Sequence, residues 1–219
     1  MPAYLEPWVF IQTPKSGSQS ITCALEDIVK QKKLNVNVKL WGNKYNHASL
    51  NQMLNFEEMS TNLPKNFKSF GVVRNPYARA VSIFKHFTKN DKLSKFFGPS
   101  WEKIAQSQEL LTFNGFWRNM RISWLNQIST YNSNYKYLFI SCPQSIWVEG
   151  CDIVLKLEEQ LKINSFLQNE FDCEISKLPH INSSIVPSNR DYKDYYDDES
   201  YKMITNFFEK DIENFGYAF

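Results

Sequence analysis

Short apolar runs alternate with helical periodicities along the first half of the chain. Trp8-Val9-Phe10-Ile11, bounded by Pro7 and Pro14, reads as a buried strand. The polar turn Pro14-Lys15-Ser16-Gly17-Ser18 follows it. Beyond the turn, Ile21, Ala24, Leu25 and Ile28 recur at helical spacing and predict a helix over about 20–32. The same grammar returns at Phe70-Gly71-Val72-Val73, a second buried-type strand that stops at Arg74. Asn75 is a good N-cap and Pro76 suits a first helical position, so a helix should run from there to about Phe87. The runs Tyr137 to Ile140 and Ile153 to Leu157 predict further strands, and Trp101, Ile104, Ala105, Gln108 and Leu111 predict a helix over 101–112. Asp191 to Glu199, charged and rich in tyrosine, reads as a surface loop leading into a helix. Tyr201, Ile204, Phe208, Ile212 and Phe215 then mark one amphipathic helix. Strands alternating with helices indicate an α/β fold, a single domain over 1–219 with a central parallel sheet flanked by helices. Ligands in such sheets lie beyond the carboxyl ends of the strands, where the polar segments 14–20 and 74–76 fall.

Composition narrows the function classes. The 219 residues are 42% hydrophobic and 16% aromatic, which excludes disorder, coiled coil and collagen-like repeats. Lys and Arg number 25 against 23 Asp and Glu, a net charge of +2. That is too weak a field for a duplex-binding protein, though it permits a local anion pocket. No apolar run approaches the about 20 residues that span a bilayer. Met1 to Pro7 lacks a basic region followed by an apolar stretch, so the expectation is a soluble, cytoplasmic chain without membrane span or nucleic-acid partner. Cys23, Cys142, Cys151 and Cys173 form no CxxC pair, and no metal site is expected. Cys142 and Cys151 are near enough in sequence to bridge. Separate buried thiols are the other reading, favoured because the chain is not disulfide-dense.

Two loops carry candidate chemistry. In Pro14-Lys15-Ser16-Gly17-Ser18-Gln19-Ser20, small residues between a strand and a helix can turn backbone N–H groups toward an anion, and the helix N-terminus adds its positive dipole end. Gly17 permits close backbone approach, Lys15 adds charge, and the hydroxyls of Ser16, Ser18 and Ser20 can donate. The Lys precedes the Gly, so this is not a Walker A loop. In Arg74-Asn75-Pro76-Tyr77-Ala78-Arg79-Ala80-Val81-Ser82, two Arg and a Ser near a helix start can hold a phosphate by charge-assisted bonds. An ordinary capped turn and a surface Arg remain the plain alternatives for each loop alone. Together they suit a ligand with two separated anionic groups.

PKSGSQS followed by VVRNPYARAVS resembles the two cofactor signatures of the PAPS-dependent sulfotransferases, in the branch typified by Golgi carbohydrate sulfotransferases. Lys15, Gly17, Arg74, Pro76, Arg79 and Ser82 match. Gln19 stands where the family usually has Thr or Ser. Weaker echoes are Asn46-His47-Ala48-Ser49, Cys142-Pro143-Gln144-Ser145, Leu155-Lys156-Leu157-Glu158, Leu178-Pro179-His180-Ile181-Asn182 and Tyr195-Tyr196 … Asp211 … Phe215-Gly216-Tyr217, so the resemblance covers about residues 8–217. It implies a P-loop nucleotide-binding-like fold. It also implies an enzyme that moves a sulfuryl group from 3′-phosphoadenosine 5′-phosphosulfate (PAPS) to a hydroxyl on a carbohydrate or other small acceptor, releasing PAP without a metal. By resemblance, residues 14–20 take the 5′-phosphosulfate, and Arg74, Arg79 and Ser82 the 3′-phosphate. Lys15 would meet charge on the leaving oxygen, and His47 would be the base that takes the acceptor proton. Glu57 or Glu58 is the fallback base, and His86 reads as a surface residue. His180 is placed on the acceptor side, while Arg190 or Tyr192 could close over the adenine. Phe96, Phe97, Trp117 and Trp124 are either core or sugar platforms. Two other readings stand beside the enzyme: a different P-loop kinase or NTPase, and a nucleotide- or glycan-binding module without catalysis.

Overall fold

A computed structural model describes residues 3–34, 48–61, 63–88, 111–128, 138–175, 178 and 191–219. Along the chain the elements are β1 (Ala3–Leu5), β2 (Trp8–Ile11), α1 (Ser18–Gln31), α2 (Leu50–Asn55), α3 (Glu57–Ser60), β3 (Lys68–Val73), α4 (Pro76–Thr88), α5 (Phe113–Ile128), α6 (Ser145–Val148), β4 (Ile153–Lys156), α7 (Gln160–Phe171), α8 (Asp198–Phe207) and α9 (Glu209–Phe215). Short 3-10 turns lie at Leu138–Ser141 and Tyr192–Tyr195. The expected helix over 101–112 falls almost wholly outside the described residues.

The chain divides into two compact units, Met1–Arg74 with Gln144–Pro187, and Asn75–Pro143 with Ser188–Phe219. The first holds a four-stranded sheet in the order β1-β2-β3-β4. β2, β3 and β4 are parallel, with Phe10 beside Phe70 and Phe70 beside Ile153. β1 pairs antiparallel to β2, Leu5 opposite Trp8. The fold is therefore α/β, a mostly parallel sheet flanked by helices.

The two-residue alternation of the strands decides what packs where. Trp8, Phe10, Phe70, Val72, Ile153 and Leu155 share a core with Ile21, Leu25 and Ile28 of α1 and Ile163, Leu167 and Phe171 of α7. Phe10 and Phe70 stack with ring centroids 4.9 Å apart, and Trp8 meets Phe166 edge-on at 5.0 Å. Burying side chains of this size contributes about 2–3 kcal/mol each. The intervening Gly71 lies under α6: a Cβ there would collide with Val148 Cγ1. A hydrogen bond from Leu157 N–H to Val73 O (2.7 Å) carries the β3–β4 pairing one residue further.

The second unit is helical. Tyr77, Val81, Phe84 and Phe87 of α4 pack with Phe113, Phe116 and Trp117 of α5 and with Ile204 and Phe208. Trp117, which the sequence left open as core or sugar platform, is fully buried against Phe116 and Phe208. Asp197 and Ser200 form a capping box at the start of α8.

Several expectations change. The run 137–140, read as a strand, is a 3-10 turn from Leu138 onward, because four apolar residues without a pairing partner fit either state. The last amphipathic stretch is two helices, meeting at Phe208 (φ −109°, ψ 23°), although Phe208 N–H still bonds Ile204 O and Ile212 N–H bonds Phe208 O. All four cysteines are free, so Cys142 and Cys151 are not bridged. Burial pushes the Cys151 thiol up to about 12. Among the described residues no helix is long and apolar enough to cross a membrane.

Candidate functional site

The first unit brings three strand ends to one edge of its sheet. β2 runs into residues 12–17, β3 into Arg74, and β4 into Leu157. The segment after β2 is built as a cradle. Gln12 is buried, and its Nε2 donates to Thr22 Oγ1 (2.6 Å), whose hydroxyl donates to Ser18 O (2.9 Å). This ties the strand end to the first turn of α1. Lys15 (φ 64°) and Gly17 (φ 73°) both lie in the left-handed region. Left-handed residues within a turn are the conformation from which backbone anion nests are made. A Lys held there costs about 1–2 kcal/mol relative to its ordinary conformations, so the loop stores strain where a charged side chain is presented.

Gly17 is the N-cap of α1, and no side chain caps that helix end. No acidic residue stands in its first turn. Both features suit an anion at the helix start. Thr13 Oγ1 is fully buried at the foot of the loop and has no hydrogen-bond partner among the described residues. A buried, orphaned hydroxyl costs about 1–3 kcal/mol until something bonds it. A Cβ on Gly17 would lie 2.5 Å from Leu157 Cδ1, so a side chain there would displace the end of Leu157.

Ser16 is fully buried, and its hydroxyl donates to Gln144 Oε1 at 2.6 Å. A hydroxyl has one proton, so in this geometry Ser16 gives it to Gln144 and not to an anion. Arg74 N–H donates to the same Oε1 (2.8 Å), and Gln144 Nε2 donates back to Arg74 O (2.7 Å). The 14–20 loop and the end of β3 are thus joined through one carboxamide. Pro14 and Ser18 are buried, Lys15 and Ser20 half-buried, and Gln19 exposed.

Arg79 and Ser82 lie on α4, in the second unit. Ser82 is half-buried. Arg79 is fully buried: Nη1 donates to Cys142 O (2.9 Å), Nη2 donates to Ile140 O (2.8 Å), and the guanidinium lies 5.6 Å from the Phe208 ring centre. These bonds hold residues 140–142 to α4. Tyr192 meets Phe219 edge-on at 5.9 Å, and His86 meets Phe87 edge-on at 5.5 Å. Glu57 is exposed. His47, His180, Arg190, Phe96 and Phe97 lie outside the described residues, as do the side chains of Glu58 and Trp124.

A model of the sulfotransferase family matches residues 6–218. The chain belongs to the sulfotransferase family. Comparison with curated proteins and with solved structures gives no match. The family match makes sulfuryl transfer the general chemistry of this transferase. The loop around Lys15 and Gly17 combines a left-handed backbone, an uncapped helix end and the buried Thr13 hydroxyl, features that suit an anion. Sequence reasoning missed Thr13, Leu157 and the bonding of Gln144. Gln144 and Leu157 carried a signal, through the segments Cys142-Pro143-Gln144-Ser145 and Leu155-Lys156-Leu157-Glu158, and that gave neither a partner; Thr13 carried none.

Proposed function

We propose that this sulfotransferase moves a sulfuryl group from PAPS to an acceptor hydroxyl on a carbohydrate. The observation that carries the reading is the strained, uncapped loop around Lys15 and Gly17 at the carboxyl end of β2, bonded through Gln144 to Arg74 at the end of β3. PAPS supplies an activated sulfuryl group on a nucleotide whose two anionic ends need separate cradles. Residues 14–20 hold the 5′-phosphosulfate end, with backbone N–H groups and the α1 dipole offsetting its charge. Arg74 meets the 3′-phosphate. Arg79 is a scaffold residue in this account, and Ser82 is kept as a phosphate partner on the family resemblance alone.

Sulfuryl transfer, like phosphoryl transfer, is in-line, and the protein's part is positioning and charge stabilisation. The Lys15 ammonium stabilises negative charge as it grows on the bridging oxygen of the departing nucleotide. One well-placed donor of this kind contributes about 3–4 kcal/mol. His47 takes the proton of the acceptor hydroxyl, a role that needs a base titrating near neutral pH. No step calls for a metal. Gln19 replaces a hydroxyl usual in the family, and Ser18 and Ser20 flank it to supply donors.

The experiment is transfer of labelled sulfate from PAPS into a panel of polysaccharides and small alcohols. The reading expects label in at least one carbohydrate, lost in Lys15→Ala and in His47→Ala. Label in small alcohols only overturns the carbohydrate acceptor. PAP binding without transfer to any acceptor overturns the enzyme reading in favour of a binding module.

A further inference from the structure

We propose that Gln144 is a positioning residue that locks the two strand-end loops into the arrangement that receives the nucleotide. The inference rests on the PAPS reading above. Gln144 is fully buried, and its side-chain amide makes three hydrogen bonds to two segments far away in sequence. Toward Arg74 the amide behaves as a neighbouring strand would, accepting from the backbone N–H and donating to the backbone carbonyl of one residue. Arg74 is the first residue beyond β3, where the ladder no longer fixes the backbone. The clasp extends that control by one residue, and so sets the direction in which the Arg74 side chain leaves. Toward the other loop, the same Oε1 takes the Ser16 proton at 2.6 Å. Ser16 sits between the two left-handed residues, Lys15 and Gly17, so holding it holds both.

Gln144 is itself anchored. Its carbonyl accepts from Trp147 N–H (2.9 Å) and Val148 N–H (3.3 Å) at the start of α6, and Val148 packs over Gly71 in the middle of β3. The side chain therefore hangs from a helix start fixed on the strand whose end it clasps. Only a carboxamide fits both demands, because Oε1 must accept twice and Nε2 must donate. A Glu of the same shape can accept from Ser16 and Arg74 but cannot donate to Arg74 O. It also sets a carboxylate beside a loop meant for an anion. Supporting groups of this kind act by removing freedom from the residues that touch the ligand.

The test is calorimetric titration with PAP and steady-state kinetics with PAPS on the wild-type chain, Gln144→Ala and Gln144→Glu, with hydrogen exchange at the Arg74 amide. In both variants the Kd for PAP and the KM for PAPS rise at least tenfold and the KM for the acceptor stays within twofold, while the Arg74 amide, which loses its acceptor only in Gln144→Ala, exchanges faster there. Gln144→Glu, the same shape as Gln, carries the test if Gln144→Ala does not fold. Ser16→Ala cuts one end of the clasp only, and weakens PAP binding by less than Gln144→Ala. A folded variant that melts lower but binds PAP as tightly as wild type overturns the positioning role and leaves the nucleotide reading standing. A wild-type chain that does not bind PAP overturns the nucleotide reading, and this inference with it.

Discussion

Leu157, at the end of β4, occupies the space that a side chain on Gly17 would need: its Cδ1 lies 2.5 Å from where a Gly17 Cβ would stand. The N-cap of α1 is thereby pressed bare against the end of another strand, with its backbone at φ 73°. Gly17→Ala meets two separate obstacles, the left-handed φ, which costs about 1–2 kcal/mol, and the Leu157 contact. Leu157 has a flexible end and can turn away. The double variant Gly17→Ala, Leu157→Ala therefore recovers part of the PAP affinity lost in Gly17→Ala, while the φ cost remains in its melting temperature. Equal affinity in Gly17→Ala and wild type would contradict the cradle.

Lys15 also lies in the left-handed region, at φ 64°. Its conformation and its charge make opposite demands, which two substitutions separate. Lys15→Gly removes the backbone strain and Lys15→Ala keeps it. Both remove the ammonium, so both should lower kcat by about 10²–10³-fold. In thermal unfolding Lys15→Gly should be more stable than Lys15→Ala by about 1 kcal/mol. A fully active Lys15→Gly would show that the charge does no chemistry.

Arg79 gives the contrary prediction. Its guanidinium is buried on the carbonyls of Ile140 and Cys142. Arg79→Met strands both carbonyls, and urea unfolding should show a loss of about 3 kcal/mol. Arg79→Lys recovers little, because a point ammonium does not reproduce the planar fork. Unchanged stability with a raised Kd for PAP would instead make Arg79 a direct ligand.

Asp197 sets an acid limit on the helical unit. The Ser200 backbone N–H, together with the Ser200 hydroxyl and Asn114, holds its carboxyl below the ordinary carboxylate range. A depressed folded-state pKa stabilises fully above the unfolded value of about 4 and loses that stabilisation as pH falls through the folded value. At neutral pH Asp197→Ala should cost about 1 kcal/mol as a lost N-cap. The gap between wild type and Asp197→Ala should narrow below about pH 4. A gap that stays constant down to pH 2 would contradict the capping account.

Much of the sheet was legible because its strands are dense runs of β-branched and aromatic residues stopped by Pro, Arg or a polar turn. Trp8–Ile11, Phe70–Val73 and, to within one residue, the run Ile153 to Leu157 read directly, as did α1 from its spacing and α4 from its Asn75-Pro76 start. β1 did not, since three residues show no period, and Ala3–Leu5 is a strand only through pairing with β2. The 138–141 turn was misread for a related reason: local hydrophobicity does not say whether an edge is waiting to be joined. In the cradle, the residue types were visible and their partners were not. Ser16 and Arg74 meet Gln144 across 128 and 70 positions, and a side-chain amide standing in for a strand leaves no periodic trace. Arg79 matched a family signature in type, while its burial came from the aromatic core around Phe208.

If the loop around Lys15 binds the nucleotide of PAPS, PAP raises the thermal unfolding temperature of the chain. At a hundredfold excess over Kd the wild-type chain should gain about 2.7 kcal/mol. Lys15→Ala should gain clearly less at the same concentration. A wild-type melt that does not move up to millimolar PAP would contradict the account.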